Sequence, residues 1–471
     1  MRYPIFGIGQ QGKSPDVTAQ TRLNLYMDVQ AQEDKTQISL HPTMGTTLLS
    51  NFGDTPARGM FSVDNFMYIV HLGTFWEVTA AGVKTNRGTL TTNSGRVDMA
   101  TNHAGIIAIQ DGTKGYFYTI ATTTFATITD AQHIQTAATV AYHDGFFIYP
   151  KPSTGQFFLS TADATDVADM MDALDFATAE KAPDNLVRVF DNNTEILLCG
   201  GRTVEFWNNT GSADFPYSRV TGGVIELGLA SKWAIARFAE SSTMMLAVNS
   251  VQGDVKVIRI DGFNYVTVSN PDIDTIFNGY TATDASAFSY TKEGHPFFQL
   301  NFPTDGKSWL YDGMTNLWSE LSYGSQGARH RGEMGTNFLN KFYISDYENG
   351  NVYQLASGVY SDNGEPIVRE VTGRHIFDEK FVGISRLWVD MESGVGLNSG
   401  QGTDPQMSLM ISRDGGHSWG VEKLSPLGKI GKYLQRTVFR RLGRSYDWVF
   451  KLRTSDPVKT VFVGAWVSIA G

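Results

Sequence analysis

The residues best suited to acid–base chemistry in this sequence are three pairs of closely spaced carboxylates: Asp163 and Asp166, Asp191 and Glu195, and Asp272 and Asp274. Two neighbouring carboxylates can share the work of general acid and general base, or of acid and nucleophile in glycoside hydrolysis. Each pair lies in a segment typical of a turn, where Asp is common because its side chain bonds to nearby backbone. We therefore predict no catalytic residue and a protein that is not an enzyme.

The nine histidines and the single cysteine do not form a metal-binding pattern. No HxxxH or HExxH spacing is present, and Cys199 lies inside an apolar run, as a buried core cysteine does. We predict no metal and no cofactor. One cysteine also excludes an intramolecular disulfide, which fits folding in a reducing compartment.

The N-terminus matches two nucleotide-binding motifs by spacing alone. Gly7, Gly12, Lys13 and Ser14 have the spacing of a P-loop, and Gly7, Gly9 and Gly12 have that of a dinucleotide-binding turn. Both motifs need a buried strand before them and a helix after them. Only six residues precede Gly7, and no helical pattern follows. The segment is better interpreted as a glycine-rich arm.

Residues 412–419, with the sequence SRDGGHSW, resemble the Asp-box of sialidases, which is a structural hairpin in those enzymes. The pattern predicts that Asp414 accepts hydrogen bonds from turn amides, that Gly416 permits the turn and that Trp419 packs beneath it. A sialidase would contain several such boxes and an arginine cluster beside a Tyr–Glu pair. The single copy here favours a structural turn.

The strongest charge signal is a basic C-terminal segment. Residues 421–471 hold ten Lys/Arg and three Asp/Glu, a net charge of +7, and the other 420 residues carry −17. Candidate contact residues in this segment are Lys423, Lys429, Lys432, Arg436, Arg440, Arg441 and Arg444. They would contact DNA phosphates without reading sequence, dock onto an acidic protein surface, or form a solvated face of a sheet. The sequence leaves these three possibilities open.

The elements that position these residues are predicted to be β-strands. Charged residues make up only 18% of the 471 residues, aromatic residues make up 12%, and glycine occurs 48 times. This composition favours strands joined by tight turns and argues against long amphipathic helices. No apolar run approaches the ~18 residues of a membrane span, and the first residues lack the apolar core of a signal peptide.

The clearest repeat unit lies between residues 176 and 211. Apolar patterns predict strands at 186–190, 195–199 and 203–207, separated by turn residues. Gly200 and Gly201 are predicted to form a two-residue hairpin turn that needs positive φ angles. From about residue 56 this order of strand, turn, apolar strand, turn and aromatic strand recurs every 40–45 residues.

Such a repeat predicts an all-β protein, a β-propeller of six or seven blades with a C-terminal β-sandwich. We expect an N-terminal arm and first strands at 1–50, the propeller at 51–373 and a basic sandwich at 374–471. A helix is predicted from Ala164 to about Ala179, as an insertion in a blade, because Val167, Met170, Met171 and Leu174 would share one face.

The central unit also resembles a known family. The spaced residues are Ala179-Glu180, Pro183-Asp184, Cys199-Gly200, Thr203, Glu205 and Thr210-Gly211. Their pattern is similar to that of the packaged-DNA stabilisation proteins, the tail hub or nozzle of short-tailed bacteriophages. Further patches of resemblance are Pro4 with Lys13, Arg58-Gly59, Gly95 to Ala100, Asp414-Gly415, Arg440 to Arg444 and Phe450 to Arg453.

The resemblance implies a structural role in the virion tail, after assembly in the host bacterial cytoplasm. Six copies would form a ring that extends the channel of the head-to-tail connector and retains the packaged double-stranded DNA. The ring would also bind the tail needle, spike or fibre proteins and act in genome ejection. An acidic propeller would repel DNA phosphates, so that DNA slides through without adhering.

Two rival functions use the same predicted fold. One is a propeller glycosidase or lyase that acts on host surface polysaccharide, and the other is a carbohydrate-binding tail protein. The enzyme would place paired carboxylates at a concave mouth. The tail hub would form a ring and have no catalytic pocket.

Overall fold

The computed structural model describes residues 2–3, 5, 7, 9–10, 13–30, 36–179 and 181–470. Three residues of the sequence motifs lie outside the described residues: Pro4 of the family resemblance, Gly12 of the P-loop spacing and Glu180 of the central unit. The described chain is almost entirely β-structure, with one α-helix, α1 (Pro271–Phe277). None of its helices is long and apolar enough to cross a membrane.

The strands of the N-terminal segment are β1 (Arg2–Tyr3), β2 (Thr21–Leu23), β3 (Leu25–Val29), β4 (Ile38–Pro42) and β5 (Gly45–Asn51). The central strands are β6 (Ala57–Val63), β7 (Phe66–His71), β8 (Thr74–Val78), β9 (Lys84–Thr89), β10 (Asp98–Thr101), β11 (Ile106–Gln110), β12 (Gly115–Thr119), β13 (Thr124–Thr127), β14 (Ala141–His143), β15 (Phe146–Pro150), β16 (Gln156–Leu159), β17 (Phe176–Thr178), β18 (Leu186–Asn192), β19 (Glu195–Gly200), β20 (Val204–Asn209), β21 (Tyr217–Ile225), β22 (Gly228–Leu229), β23 (Ile235–Phe238), β24 (Ser242–Val248), β25 (Val255–Asp261), β26 (Asn264–Thr267), β27 (Ser286–Lys292), β28 (His295–Phe302), β29 (Lys307–Asp312), β30 (Leu317–Tyr323), β31 (Ala328–Arg329), β32 (Gly332–Phe338), β33 (Lys341–Asp346) and β34 (Asn351–Ala356). The C-terminal strands are β35 (Ser361–Asp362), β36 (Glu365–Pro366), β37 (Arg369–Thr372), β38 (Ile376–Met391), β39 (Gln406–Ser412), β40 (Lys423–Pro426), β41 (Thr437–Thr454) and β42 (Phe462–Ala470).

The central strands form a β-propeller, as predicted. Six blades are separate sheets built on β6–β9, β10–β13, β14–β17, β18–β21, β22–β26 and β32–β34. A seventh four-stranded unit, β27–β30, completes the ring within the described residues and is continuous with a larger sheet. Neighbouring blades pack on one another, and β32 packs on β6. Each blade buries both faces, which explains why its middle strand is apolar at nearly every residue.

The propeller is closed by an early segment of the chain. Strand β5 pairs antiparallel with β34, so that Thr46 lies opposite Leu355. This strand falls inside the arm that the sequence predicted for residues 1–50. The last blade is therefore built from strands that lie about 300 residues apart, as the contact of Asn51 with Asn351 shows.

The C-terminal strands form a β-sandwich whose core surrounds Leu387, Leu409, Trp448 and Phe462, all fully buried. The 18-residue strand β41 is long enough to take part in both sheets of the sandwich. Its first half pairs with β38, and its second half pairs with β39 and β37. Strands β1, β3 and β4 from the N-terminal segment add to this sheet.

Two buried polar residues of the N-terminal segment join the propeller to the sandwich. Arg22, between strands β37 and β30, donates to the carbonyl oxygens of Gly7 at 2.6 Å and Trp318 at 2.8 Å. The Nδ2 atom of Asn24 donates to the carbonyl oxygens of Ser322 at 3.1 Å and Val368 at 2.8 Å. Because Trp318 and Ser322 belong to β30, a propeller strand, these bonds hold the two domains in one continuous sheet.

The helix predicted from Ala164 to about Ala179 is wrong. This segment is irregular and ends in the outer blade strand β17. The carboxylate of Asp130 accepts from the backbone N–H groups of Met170 and Met171, both at 2.8 Å, which replaces the bonds that a helix would make. Leu174, expected on the buried face, is 79% exposed.

The one described helix, α1, was not predicted, and it carries the carboxylate pair Asp272 and Asp274 in its first turn. Its N-cap is Asn270, whose side chain accepts from the N–H groups of Asp272 and Ile273. Asn followed by Pro and an acidic residue is a helix-start pattern, so the signal was present in the sequence.

The central repeat unit has the three predicted strands, as β18, β19 and β20, but its turn differs. Neither Gly200 nor Gly201 adopts a positive φ angle. Gly200 is the last residue of β19, and the turn follows at 201–203. Glycine is needed at position 200 for close approach, because an added Cβ would lie 2.8 Å from Cγ of Asp184 and overlap its carboxylate.

Candidate interaction surface

All seven basic residues singled out from the sequence are exposed on the sandwich. Lys423 lies on the short strand β40, whose strand partner is β39. Lys429 and Lys432 lie in the loop after β40, and Arg436 immediately precedes β41. Arg440, Arg441 and Arg444 lie on the half of β41 that pairs with β38. The fold thus distributes the basic run over one strand edge, one loop and one long strand.

Strand pairing adds an arginine that the sequence analysis missed. Arg386 on β38 lies directly opposite Arg440 on β41, and both side chains are exposed. Like charges in directly opposite positions of a strand pair destabilise a sheet. The local sequence around Arg386 gave no signal, because only the pairing register brings the two residues together. We call Arg386, Arg440, Arg441 and Arg444 the arginine patch.

The backbone of the arginine patch is strained at one position. Arg441 has a φ angle of 58°, in the left-handed region that non-glycine residues seldom occupy. The pairing register shifts between Ile384 and Arg386 on the facing strand, as in a β-bulge. Gly443, with a φ of 102°, continues the bulge, and Arg413 donates to the carbonyl oxygen of Leu442 at 2.6 Å. The bulge therefore accounts for the glycine in the sequence from Arg440 to Arg444.

Only some of the exposed basic residues contact other side chains of the same chain. Arg436 lies over the ring of Trp388 at 5.1 Å, and Trp388 stacks on Trp466 at 4.8 Å. Lys429 lies 3.5 Å from the carboxylate of Asp404. In the described residues, no carboxylate lies within ion-pair distance of the arginine patch. No carboxylate of the described residues therefore pairs with these four exposed guanidinium groups.

Exposed apolar side chains are interspersed with the basic ones. The most exposed in this region are Val421, Leu424, Ile430, Tyr433, Leu434 and Tyr446. Tyr446 also packs edge-on against the exposed Phe381, with ring centroids 4.0 Å apart. A solvated sheet face would carry few such side chains, whereas arginine and aromatic residues together are enriched in protein interfaces. The composition therefore favours an interface over a purely solvated face.

The Asp-box segment forms a turn. The carboxylate of Asp414 accepts from the N–H group of Ser418 at 2.9 Å and from the hydroxyls of Ser412 and Ser418. These hydrogen bonds hold the pKa of Asp414 well below its usual range. Gly416 has a φ of 94°, and Trp419 packs under the ammonium group of Lys451 at 4.3 Å. Each group already has a structural partner.

The other chemistry-bearing residues are not brought together. The carboxylate pairs lie on separate blades, since Asp163 and Asp166 follow β16, Asp191 is on β18, and Asp272 is on α1. Among the described residues, no group of three His, Cys, Asp or Glu side chains is placed to hold a metal ion. Burial raises the pKa of the Cys199 thiol to about 12, which makes it a poor nucleophile.

Comparison with family profiles accounts for both domains. The profile described as the β-propeller of bacteriophage P22 Gp10 matches residues 1–360, and that of the P22 Gp10 β-sandwich matches residues 369–470. The chain belongs to the bacteriophage P22 Gp10 family. It is therefore a phage structural protein with virion partners. No curated protein matches the sequence significantly.

Three solved structures are similar to this Gp10-family chain at low sequence identity. The designed Ika8 protein is 11% identical over 72% of this chain and 100% of its own, with a TM-score of 0.42. A streptogramin B lyase is 10% identical over 71% and 98%, with a TM-score of 0.43. Virginiamycin B lyase from Staphylococcus aureus is 10% identical over 70% and 99%, with a TM-score of 0.45.

The residues that resembled the Gp10 family are structural contacts in the propeller. Asp184 accepts from the N–H groups of Arg202 at 2.7 Å and Thr203 at 3.3 Å, which fixes the β19–β20 turn. Glu205 accepts from the N–H group of Lys181 at 2.7 Å and from the indole of Trp207 at 3.0 Å. Their spacing reflects these contacts and not a reaction.

Proposed function

We propose that this Gp10-family protein is the tail hub of a short-tailed phage, a ring of six copies that continues the connector channel and retains packaged DNA. In this proposal the arginine patch and the neighbouring exposed apolar residues form the interface with the next copy or with the connector. The observation that carries it is the opposition of Arg386 and Arg440 without a neutralising carboxylate. An anionic partner surface would remove this repulsion.

The charge distribution supports a partner of the same chain. The sandwich segment from residue 421 carries +7 and the rest of the chain −17. One exposed acidic segment is residues 163–175, which hold five Asp and no Lys or Arg. Asp166, Asp169 and Asp172 are exposed there, and burial together with the charge of Asp172 raises the pKa of Asp175. Contact between this segment and the arginine patch of a neighbour would pair opposite charges around a ring.

The test is the mass of the purified protein in solution, alone and with its candidate connector, at low and high salt. We expect assemblies of about six copies that dissociate as salt is raised, because exposed charge pairs are screened. The variant Arg386→Glu is the sharpest probe. It would place opposite charges across β38 and β41, leaving the monomer folded while weakening assembly at least tenfold.

The matched control is Arg219→Glu, an exposed charge reversal on the propeller strand β21. It should leave assembly unchanged. If Asp169→Arg or Asp172→Arg restores assembly to the Arg386→Glu variant, the partner is the acidic segment of another copy. A protein that stays monomeric under every condition contradicts the hub, and loss of DNA binding without loss of assembly assigns the patch to phosphates instead.

A further inference from the structure

The propeller contains a cavity of about 470 Å³. It lies where the inner strands of three blades begin, β6, β10 and β32. Its lining carries three arginines, Arg58, Arg96 and Arg329, and one carboxylate, Glu333. Arg58 is fully used within the chain, donating to the carbonyl oxygens of Leu72, Thr92, Ser94 and Gly95. The charge available to a ligand in the cavity therefore comes from Arg96 and Arg329.

Arg96 and Arg329 share Glu333. The Nη2 atom of Arg329 donates to Glu333 at 2.7 Å, and the Nη1 atom of Arg96 lies 3.6 Å from the other oxygen of that carboxylate. Arg96 also stacks on Trp233 at 4.3 Å, and Arg329 stacks on Tyr347 at 3.7 Å. Ring stacking fixes the orientation of both guanidinium groups, while one carboxylate balances two positive charges.

One donor of this pair has no partner among the described residues. The side chain of Arg329 is only 7% exposed, yet its Nη1 atom makes no hydrogen bond there. A buried charged donor without an acceptor is costly, and such atoms in native proteins call for an explanation. Because Arg329 lines the cavity, a ligand oxygen in the cavity would satisfy this donor.

The remaining walls are largely apolar and include Pro56, Leu72, Pro303 and Met334. A site of this size with apolar walls and a few charged groups is typical of small-ligand pockets. Guanidinium groups match the planar geometry of a carboxylate. We propose that this cavity binds a carboxylate flanked by an apolar group, such as the C-terminal residue of a partner polypeptide, with Arg329 and Arg96 as its ligands. This proposal stands independently of the hub function.

The test uses N-acetyl-alanyl-leucine as a probe and its C-terminal amide as the matched control. Affinities are measured by saturation-transfer NMR titration on the full chain. We expect the acid to bind at least tenfold more tightly than the amide. The small acid 3-methylbutanoate carries the same carboxylate and apolar group without a peptide unit. If it binds as tightly as the peptide, the ligand is an organic acid, and weaker binding assigns the site to a chain terminus.

The variant Arg329→Gln should weaken binding of the acid at least tenfold and leave the amide unaffected. Arg237→Gln is the control, because Arg237 lines a different cavity and pairs with Asp191. If Arg329→Gln does not fold, Arg96→Gln replaces it. Equal affinity for acid and amide, or full competition by inorganic phosphate, would overturn the proposal.

Discussion

The carboxylate of Asp184 occupies the space where the side chain of residue 200 would begin. A Cβ on Gly200 would lie 2.8 Å from Cγ of Asp184. Asp184 in turn holds the β19–β20 turn through the N–H groups of Arg202 and Thr203. The Pro-Asp and Cys-Gly dipeptides of the family pattern therefore contact each other through Asp184 and Gly200.

The first prediction concerns this contact. Gly200→Ala should displace Asp184 and lower the free energy of unfolding by about 1–3 kcal/mol, as overpacking does. Gly201→Ala is its matched control, because an added Cβ there meets nothing within 4 Å and φ is not positive. Chemical denaturation measures both variants. Equal stability of the two would contradict the role of Asp184.

Arg58 is predicted to be the main support of the connection between the first two blades. Arg58→Lys keeps the charge but loses the planar fork that donates to Gly95, Thr92, Ser94 and Leu72. We expect a loss of about 2–4 kcal/mol, since several buried carbonyl oxygens lose their donors. Arg219→Lys, at an exposed position, should change stability by less than about 0.5 kcal/mol. A similarly small effect at Arg58 would refute the prediction.

The pH dependence of stability should contain a contribution from Asp362. Burial raises the pKa of Asp362 to about 7. The folded state therefore binds a proton more readily than the unfolded state, and this contribution to stability falls as pH rises from about 4 to about 7. Asp362→Asn removes the titration. Relative to the unsubstituted protein, it should gain on the order of 4 kcal/mol between pH 4 and pH 8.

Measurement of both proteins at several pH values isolates this effect, because other titrations cancel in the difference. The buried His133 and His330, whose pKa values burial lowers to about 4, act in the opposite direction in both proteins. A difference that stays constant from pH 4 to pH 8 would show that Asp362 does not titrate in this range.

Arg441 is expected to cost the monomer stability. Arg441→Gly removes the left-handed strain at a φ of 58° and should keep or raise the free energy of unfolding, by up to about 1 kcal/mol. Arg444→Gly also removes one exposed charge but lies at a position without positive φ, and should destabilise by about 0.5–1 kcal/mol. Thermal unfolding compares the pair. Equal destabilisation would mean that the bulge is not strained at Arg441.

The sequence was sufficient for the fold class because the blades are built from local hairpins, with β5 as the distant strand that completes the last blade. Strands β18 to β20 follow their predicted positions, since apolar alternation and turn residues are local signals. The helix predicted at 164–179 does not form, because backbone N–H groups of this segment donate to Asp130, a residue too far away in sequence to belong to the helix. The spacing of apolar residues in the sequence does not reveal that a distant carboxylate accepts these hydrogen bonds in place of helical carbonyl oxygens.

The interaction surface was predictable only in part, because some of its residues are brought together by contacts between distant parts of the sequence. The basic run from Lys423 to Arg444 is visible in the sequence, and its exposure follows from its charge. The pairing of Arg386 with Arg440 depends on the register of two long strands with a bulge between them. The cavity lined by Arg96 and Arg329 brings together two residues that no local sequence pattern connects.

The closure of the last blade by strand β5 has a consequence for synthesis. Residues 45–51 leave the ribosome early, but their partner β34 follows about 300 residues later. At the usual rate of translation this delay is roughly 15–60 seconds. Strands β3 and β4 pair with each other, but β1 waits for β42, and β2 waits for β30 and β37. During this delay the unpaired β5 must not pair with a wrong strand. A chaperone that binds this segment during synthesis would prevent such mispairing.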